Sequence, residues 1–356
     1  MEMINLKGKT QEELDEFAKS IGESAFRGRQ LFKWIYHRGE SDFDKMTDIG
    51  KELKKKLRET SHVSVIKLVD RVTADDKNTE KFLFQLADGN LIESVLMRYE
   101  EHLGFGRCTV CISSQVGCAQ GCTFCASGKN GLVRSLTVSE IVDQVMQVQS
   151  SMNDTAERVT NVVVMGIGEP LANFKNVVKA IGLINHGDGI AIGMRHIAVS
   201  TVGIPRMMKK LADEKLSIRF AVSLHAPDNE TRSKIIPANR KYPVESIIDA
   251  SKYYQKVTGR RITFEYMLID GLNDSLDQAK MLGKLLRGIH AMINLIPLNP
   301  VKESPYKRPA RNRCYQFAKE VEKFGHKVIF RNERGTSIDA ACGQLRNRMT
   351  EKEKGS

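Results

Sequence analysis

Thr109-Val110-Cys111-Ile112 is a short β-rich run, and six residues beyond it begins Cys118-Ala119-Gln120-Gly121-Cys122-Thr123-Phe124-Cys125. Three thiols, spaced C-x3-C-x2-C, stand where a strand hands over to a loop. Thiolates are the soft, anionic ligands that iron–sulfur clusters require, and Gly117 and Gly121 let a short loop wrap one corner of a cubane. A four-iron cluster ordinarily takes four cysteines, so three close ones leave one iron open to a small molecule. A structural zinc site with Cys111 or Cys108 as fourth ligand competes with this reading, as do incidental buried thiols. Spacing and strand context favour the cluster.

Beyond the loop the chain alternates. Val162-Val163-Val164-Met165, Ile197-Ala198-Val199, Phe220-Ala221-Val222-Ser223-Leu224, Ile262-Thr263-Phe264-Glu265-Tyr266-Met267 and Met292-Ile293-Asn294-Leu295-Ile296 are further candidate strands, with helical stretches between them. Thr137-Val138-Ser139-Glu140 has capping-box spacing ahead of Ile141, Val142 and Val145, and Pro205 and Pro243 stand near the openings of two other helices. This alternation implies an α/β fold with a parallel sheet, and six units suit an open or partial (β/α)6 barrel. Sites in such sheets lie at the carboxyl ends of strands, so a functional motif should follow a strand. Lys327-Val328-Ile329-Phe330-Arg331 reads as an added edge strand.

Upstream, Leu14, Phe17, Ala18 and Ile21, then Leu31, Phe32, Trp34 and Ile35, recur at helical spacing and predict a small helical N-terminal domain. Phe82 to Leu86 and Leu91 to Met97 flank the turn signal Asp88-Gly89 and predict a β-hairpin extension that bridges this domain to the main body. The expected division is 1–60 for the helical domain, 61–103 for the hairpin, 104–337 for the core and 338–356 for a C-terminal segment ending in a frayed tail.

The 356 residues are 41% apolar and 28% charged, which excludes intrinsic disorder as the main state, and collagen-like or coiled-coil chains as well. No apolar run approaches the ~18 residues of a membrane span, and the start lacks the apolar stretch of a secretion signal. The expectation is a cytoplasmic protein with reduced cysteines. With 55 Lys+Arg against 43 Asp+Glu the formal charge is +12, which favours polyanionic partners. Residues 1–60 are nearly balanced, whereas 300–356 carry 14 basic and 7 acidic side chains, so a nucleic acid is expected over the C-terminal third. Lys51, Lys54, Lys55 and Arg58 fall at helical spacing, either as a local basic stripe or as a solvated helix face.

Several strand ends carry polar groups. Gly166-Ile167-Gly168-Glu169-Pro170 offers two glycines for close backbone approach and a carboxylate able to accept from an ammonium. It is not a dinucleotide fingerprint, because a third glycine is absent and Pro170 interrupts the helix opening. Ser200-Thr201, Ser223-Leu224-His225 and Leu298-Asn299-Pro300 are ordinary turns singly, but together they make four agreeing strand ends. Cys342 lies among small residues in Asp339-Ala340-Ala341-Cys342-Gly343-Gln344-Leu345. On residues alone, Cys111 and Cys342 read as two unrelated buried thiols, and Glu93 as a surface carboxylate in an alternating strand.

Taken together, these segments resemble the radical S-adenosylmethionine superfamily, and within it the RNA adenine methyltransferases of the RlmN/Cfr group. The likeness runs from Leu91 to Leu345 and includes the long segments Ile218 to Pro227 and Ile338 to Leu345. It implies one [4Fe-4S] cluster held by Cys118, Cys122 and Cys125, whose open iron takes the amino and carboxylate groups of S-adenosylmethionine and yields a 5′-deoxyadenosyl radical. It implies Gly168, Glu169, Ser200, Ser223, Leu224, His225 and Asn299 as S-adenosylmethionine contacts, with two molecules used per turnover. Cys342 would carry the methyl group as a thioether, the derived methylene radical would add to adenine, Glu93 would accept the C2 proton, and Cys111 would resolve the adduct by a disulfide with Cys342. Such a route suits C2, an electron-poor carbon that cannot attack a methyl donor as a thiolate does.

The implied substrates are an adenosine in the peptidyl-transferase region of ribosomal RNA and one beside the anticodon of transfer RNA. The helical domain would be an RNA-binding appendage, the electron donor a flavodoxin or ferredoxin, and the enzyme a monomer. Asn294 to Pro300 and Arg331 to Gly335 look more like the C2 enzymes. Methylation at C8, with antibiotic resistance as its consequence, is the alternative, and a zinc-stapled, non-catalytic RNA-binding protein is the reading from another class. Cys108 and Cys314 match no family role and are expected to be structural.

Overall fold

The computed structural model describes residues 3–99, 106–152, 155–299, 305–331, 335, 338–341 and 343–345. The N-terminal unit contains α1 (Gln11–Ser20), α2 (Ala25–Phe32), which runs on into a π-helical turn over Lys33–His37, and α3 (Lys51–Thr60). A capping box opens α1, with Thr10 and Glu13 bonding each other's backbone amides. A two-residue parallel pairing of Ile4–Asn5 with Ser61–His62 ties the unit's ends together.

The chain then forms β1 (Lys67–Thr73), β2 (Thr79–Gln85), β3 (Leu91–Tyr99), β4 (Arg107–Ile112), β5 (Asn161–Val164), β6 (Ile197–Thr201), β7 (Arg219–Ser223), β8 (Ile262–Leu268), β9 (Ala291–Pro297) and β10 (Lys327–Phe330). All ten lie side by side, in chain order, in one sheet. From β4 to β10 the pairings are parallel, and from β1 to β4 antiparallel. The six expected core strands and the edge strand at 327 all form. The helices between them are α4 (Val138–Ser150), α5 (Phe174–Asn185), α6 (Pro205–Asp213), α7 (Asn229–Ile235), α8 (Val244–Thr258), α9 (Leu276–Leu285) and α10 (Arg311–Glu322). The Thr137/Glu140 capping box opens α4, Pro205 is the first residue of α6, and Pro243 caps α8.

The hairpin continues the core sheet, because β3 pairs along β4. It is also three-stranded, since β1 adds to β2. Lys67, Asp70 and Arg71 hid β1 from a hydrophobic pattern, and they suit an exposed edge strand, where charges discourage pairing with other chains.

Register divides the sheet into two faces with different chemistry. One face carries Val110, Ile112, Val162, Val199, Phe220, Val222, Ile262, Phe264, Ile293 and Leu295, all essentially sealed from solvent. The helices cover this face; the Phe220 ring lies 4.6 Å from Tyr254 of α8, and Tyr266 lies 5.2 Å from Phe317 of α10. Each such side chain contributes about 1.5–3 kcal/mol by leaving water. The opposite face is mixed. Ser223, Glu265 and Asn294 stand level across β7, β8 and β9, and Lys81, Val95, Cys111 and Val163 stand level across β2 to β5.

A buried ion pair fastens the N-terminal unit to α4. Lys7 Nζ lies 2.6 Å from Asp143 Oδ1, and the Ile66 amide donates to Asp143 Oδ2 at 2.7 Å. Lys7→Ala leaves Asp143 buried without its cation, a loss of about 3–5 kcal/mol. Urea unfolding should show it, and a loss below about 1 kcal/mol would rule the fastening out. The basic stripe is partly engaged: Lys54 donates to the Asp44 carbonyl and Arg58 pairs with the Asp44 carboxylate, while Lys51 and Lys55 are exposed. No helix among the described residues is long and apolar enough to cross a membrane.

Candidate active site

At the carboxyl ends of the parallel strands lies a cavity. Its walls come from the cysteine loop (Cys118, Cys122, Phe124, Cys125), the turn after β5 (Gly166, Gly168, Glu169), the ends of β6 and β7 (Ser200, Thr201, Ser223, His225), and Glu265, Met267 and Arg331. Gly343, next to Cys342 in sequence, completes it.

Backbone bonds hold the cysteine loop at both ends. The Cys118 amide donates to the Gly131 carbonyl at 2.8 Å, and the Thr123 amide to the Ile235 carbonyl at 3.0 Å. Gly117 has φ +74°, and a Cβ there would meet the Gly131 oxygen at 2.1 Å, so only glycine fits. Burial pushes the Cys118 thiol up to about 12 and the Cys122 thiol well above its ordinary value. Bare, these sulfurs hold their protons; they become thiolates when a cation binds them.

Among the described residues no three Cys, His, Asp or Glu side chains converge closely enough to hold a single metal ion. Zinc needs four ligands gathered about one point at ~2.3 Å. Cysteines on different corners of a cluster stand further apart, and all three of these line the one cavity. Cys108 cannot complete a zinc site with them. Three residues from Cys111 on the same strand, it points to the opposite face, with its sulfur 3.8 Å from Glu157 Oε1. Cys314 is likewise buried, in α10, away from the cavity.

Glu169 is completely buried and tied by three donors: the Leu171 amide (2.9 Å) and Thr201 hydroxyl (2.8 Å) to Oε1, and the Val202 amide (2.8 Å) to Oε2. Desolvation raises its pKa, and these bonds oppose the rise. The glycines beside it, which also line the cavity, are required by packing. A Cβ on Gly166 would strike the Ile112 backbone at 2.8 Å, and one on Gly168, at φ +105°, would strike the Gln115 side chain at 2.6 Å. They let the turn pack against the Ser113-Ser114-Gln115 segment. That segment is locked in turn by Gln144 of α4, which bonds both the amide and the carbonyl of Ser113.

His225 adopts φ +60°, uncommon for a residue with a side chain. Its Nδ1 accepts the Met267 amide at 2.9 Å, so the neutral ring carries its proton on Nε2. Burial, aided by the Arg232 charge, pushes its pKa down to about 3, and the ring therefore stays neutral. The Ser200 and Ser223 hydroxyls meet at 3.3 Å. Leu224 is different: its side chain lies in the core, its amide donates to the Glu265 carbonyl, and its carbonyl accepts from Arg232. Asn299 is buried just past the end of β9.

Glu93 is not the surface residue its pattern suggested. It is 2% exposed, and the Lys81 ammonium lies 3.4 Å away. Cys111 packs in a small apolar cluster with Val95, Ile167, Ala340 and Leu345. The C-terminal segment is pinned to the cysteine loop, the Ala126 amide donating to the Gly343 carbonyl (2.7 Å) and the Ser127 hydroxyl to the Leu345 carbonyl (2.9 Å). Cys342 and Pro300 lie outside the described residues.

Residues 4–63 match the ribosomal RNA large subunit methyltransferase N-terminal domain, and residues 112–280 the radical SAM superfamily. The chain is 46% identical to the probable dual-specificity RNA methyltransferase RlmN of Caldanaerobacter subterraneus, over 97% of this chain and 98% of that one. It is also 46% identical to the Bacillus licheniformis protein of the same name, over 96% and 93%. The chain belongs to the RlmN family of radical S-adenosylmethionine RNA methyltransferases. A crystal structure of a radical SAM methyltransferase from Sphaerobacter thermophilus shares the fold, with a TM-score of 0.91, 41% identity, and coverage of 96% and 99%.

Family membership removes the zinc-stapled binding protein as a reading. The cavity fits the group the superfamily uses: soft sulfur ligands share its lining with a carboxylate, a neutral imidazole and the hydroxyls of Ser200 and Ser223. Sequence reasoning missed Gln115, Arg232, Glu265 and Arg331. Glu265 is buried, accepts from Asn294 Nδ2 at 2.7 Å and lies 3.8 Å from Arg331 Nη1. Its alternation with Thr263 in Ile262-Thr263-Phe264-Glu265-Tyr266 was the available signal, since a charge inside a parallel strand must face a site or a partner.

Proposed function

We infer that this RlmN-family enzyme methylates adenosine at C2 in ribosomal and transfer RNA, with Cys342 as the methyl carrier and Cys111 as its resolving partner. The docking of the C-terminal segment carries this reading. Gly343 and Leu345, on one side of Cys342, bond Ala126 and Ser127 directly after the cysteine loop, and Ala340 and Leu345, flanking it, belong to the same apolar cluster as Cys111. A cluster and S-adenosylmethionine bound in the cavity supply a carbon radical able to take hydrogen from a methyl group.

The protein's own residues perform the remaining work. The Cys342 thiolate first attacks the methyl carbon of one S-adenosylmethionine, displacing S-adenosylhomocysteine, and becomes a thioether. Once the carbon of that group has bonded adenine C2, Glu93 takes the C2 proton, and the one surplus electron of the ring would return to the cluster. The Cys111 thiolate then attacks the Cys342 sulfur; the methylene carbon leaves with the bonding pair and takes a proton to become the methyl group, while the two sulfurs remain as a disulfide that an external reductant reopens. Glu169 is suited to receive the ammonium of S-adenosylmethionine, and His225 to donate from Nε2. Adenine must leave its stack to reach these groups, at a cost of a few kcal/mol that is smallest in an RNA loop. The same reading includes a [4Fe-4S] cluster, two S-adenosylmethionine molecules per turnover, a flavodoxin or ferredoxin donor, and a cytoplasmic monomer.

Expression of Cys342→Ala in cells lacking the native activity, followed by mass spectrometry of digested RNA, tests the assignment. The parent should yield 2-methyladenosine and the variant none. Methylated RNA from the variant would refute the carrier role, and 8-methyladenosine from the parent would refute the C2 assignment.

A further inference from the structure

Lys81 is a buried cation beside Glu93 for which the steps above give no role. Its side chain is 6% exposed, on the same face of the sheet as Glu93, and its Nζ lies 3.4 Å from Glu93 Oε1. Strand register explains the meeting. Leu83 opposes Glu93 and Lys81 opposes Val95, so Lys81 stands one diagonal step from Glu93; Val95 in turn opposes Cys111.

Stability is a poor reason for such a pair. Taking an ammonium and a carboxylate out of water costs several kcal/mol per ion, and a well-packed apolar pair of similar volume is often as stable or more so. The pair does have a chemical consequence. A carboxyl group sealed from water without a cation is driven to its neutral form, and a neutral carboxyl cannot accept a proton. A fixed ammonium favours the ionised form and favours one rotamer.

We propose that Lys81 is the positioning residue for Glu93, holding its carboxylate charged and in one orientation for proton transfer from the RNA base. This rests on Glu93 as the proton acceptor. Lys81 does not touch the substrate in this role; it acts through Glu93.

Full-length Lys81→Met, Lys81→Arg and Glu93→Gln proteins, each reconstituted with the cluster, test the proposal on an RNA transcript carrying the target adenosine. RNA affinity, iron content, melting temperature, 5′-deoxyadenosine formed and 2-methyladenosine formed are measured together. In Lys81→Met, methylated product per 5′-deoxyadenosine should fall roughly 100-fold, the low end of what a positioned base contributes, with RNA affinity and iron content retained. Lys81→Arg, which keeps the charge, should recover most of the ratio. Glu93→Gln should fall at least as far as Lys81→Met.

Parental coupling in Lys81→Met with an inactive Glu93→Gln overturns the role of Lys81 and leaves Glu93 standing. Parental coupling in Glu93→Gln overturns the proton-acceptor reading itself. Equal losses of iron, melting temperature and 5′-deoxyadenosine in Lys81→Met and Lys81→Arg would show a purely structural lysine and overturn the proposal.

Discussion

An Arg232→Met variant is expected to lose on the order of 4 kcal/mol of stability and, with it, the shape of the cavity floor. Arg232 of α7 is fully buried. Its Nε donates to the Leu224 carbonyl (2.9 Å), Nη1 to Asn239 Oδ1 (2.9 Å), and Nη2 to the carbonyls of Val202 and Ser223. One planar guanidinium thus joins the end of β6 to the end of β7. Methionine fills a similar volume and donates nothing. Each buried acceptor left without a donor costs about 1–3 kcal/mol, and the four losses share one site, so they do not simply add. Against a total of about 5–15 kcal/mol this is a large fraction.

The functional loss follows from His225. Its left-handed backbone persists only while its surroundings over-determine it, and the Leu224 carbonyl next to it is held by Arg232. Freed, residues 223–225 can relax toward ordinary dihedrals and carry Ser223 and His225 out of the cavity. Lysine keeps the charge but not the fork, so Arg232→Lys should recover little. Chemical denaturation and S-adenosylmethionine binding measure both effects. A Met variant within about 1 kcal/mol of the parent would sink the account.

The outcome separates what a pattern can encode from what it cannot. The core strands were readable because their helix-facing positions are Val, Ile and Phe, and the strand ends were readable because polar residues interrupt those runs. The cysteine loop was legible from spacing alone. Register was not, and register converts Glu93 from a lone carboxylate into the buried partner of Lys81, because the pairing of β2 with β3 is a long-range fact. The glycines of the turn after β5 have a second need the sequence did not show: neither the Ile112 backbone nor the Gln115 side chain is near them in sequence, though both abut them in space. Leu224 stands between two cavity residues in sequence, yet the side chains of β7 alternate, so its own side chain points into the core.

A Glu169→Gln variant is expected to lose measurable S-adenosylmethionine binding, although it changes one atom. Three donors converge on the two oxygens of Glu169. An amide keeps one oxygen and turns the other into a donor, so either the Val202 amide or the Leu171 and Thr201 pair must face an N–H, and the charge that would receive an ammonium is gone. A buried donor left facing another costs about 1–3 kcal/mol. The pH dependence gives an independent check. Desolvation raises the Glu169 pKa, so the folded protein binds this proton more readily than the unfolded chain. The ionised form burdens the ligand-free fold above that raised pKa, and the burden is relieved as pH falls through it. Affinity for S-adenosylmethionine should move the other way, full above the raised pKa and declining as Glu169 protonates. Calorimetric titration and melting of the parent, from neutral pH downward, should therefore show opposite trends from one group. Glu169→Gln should remove both, and an affinity in the parent that stays constant while Glu169 protonates would overturn the proposed pairing of this carboxylate with the ammonium.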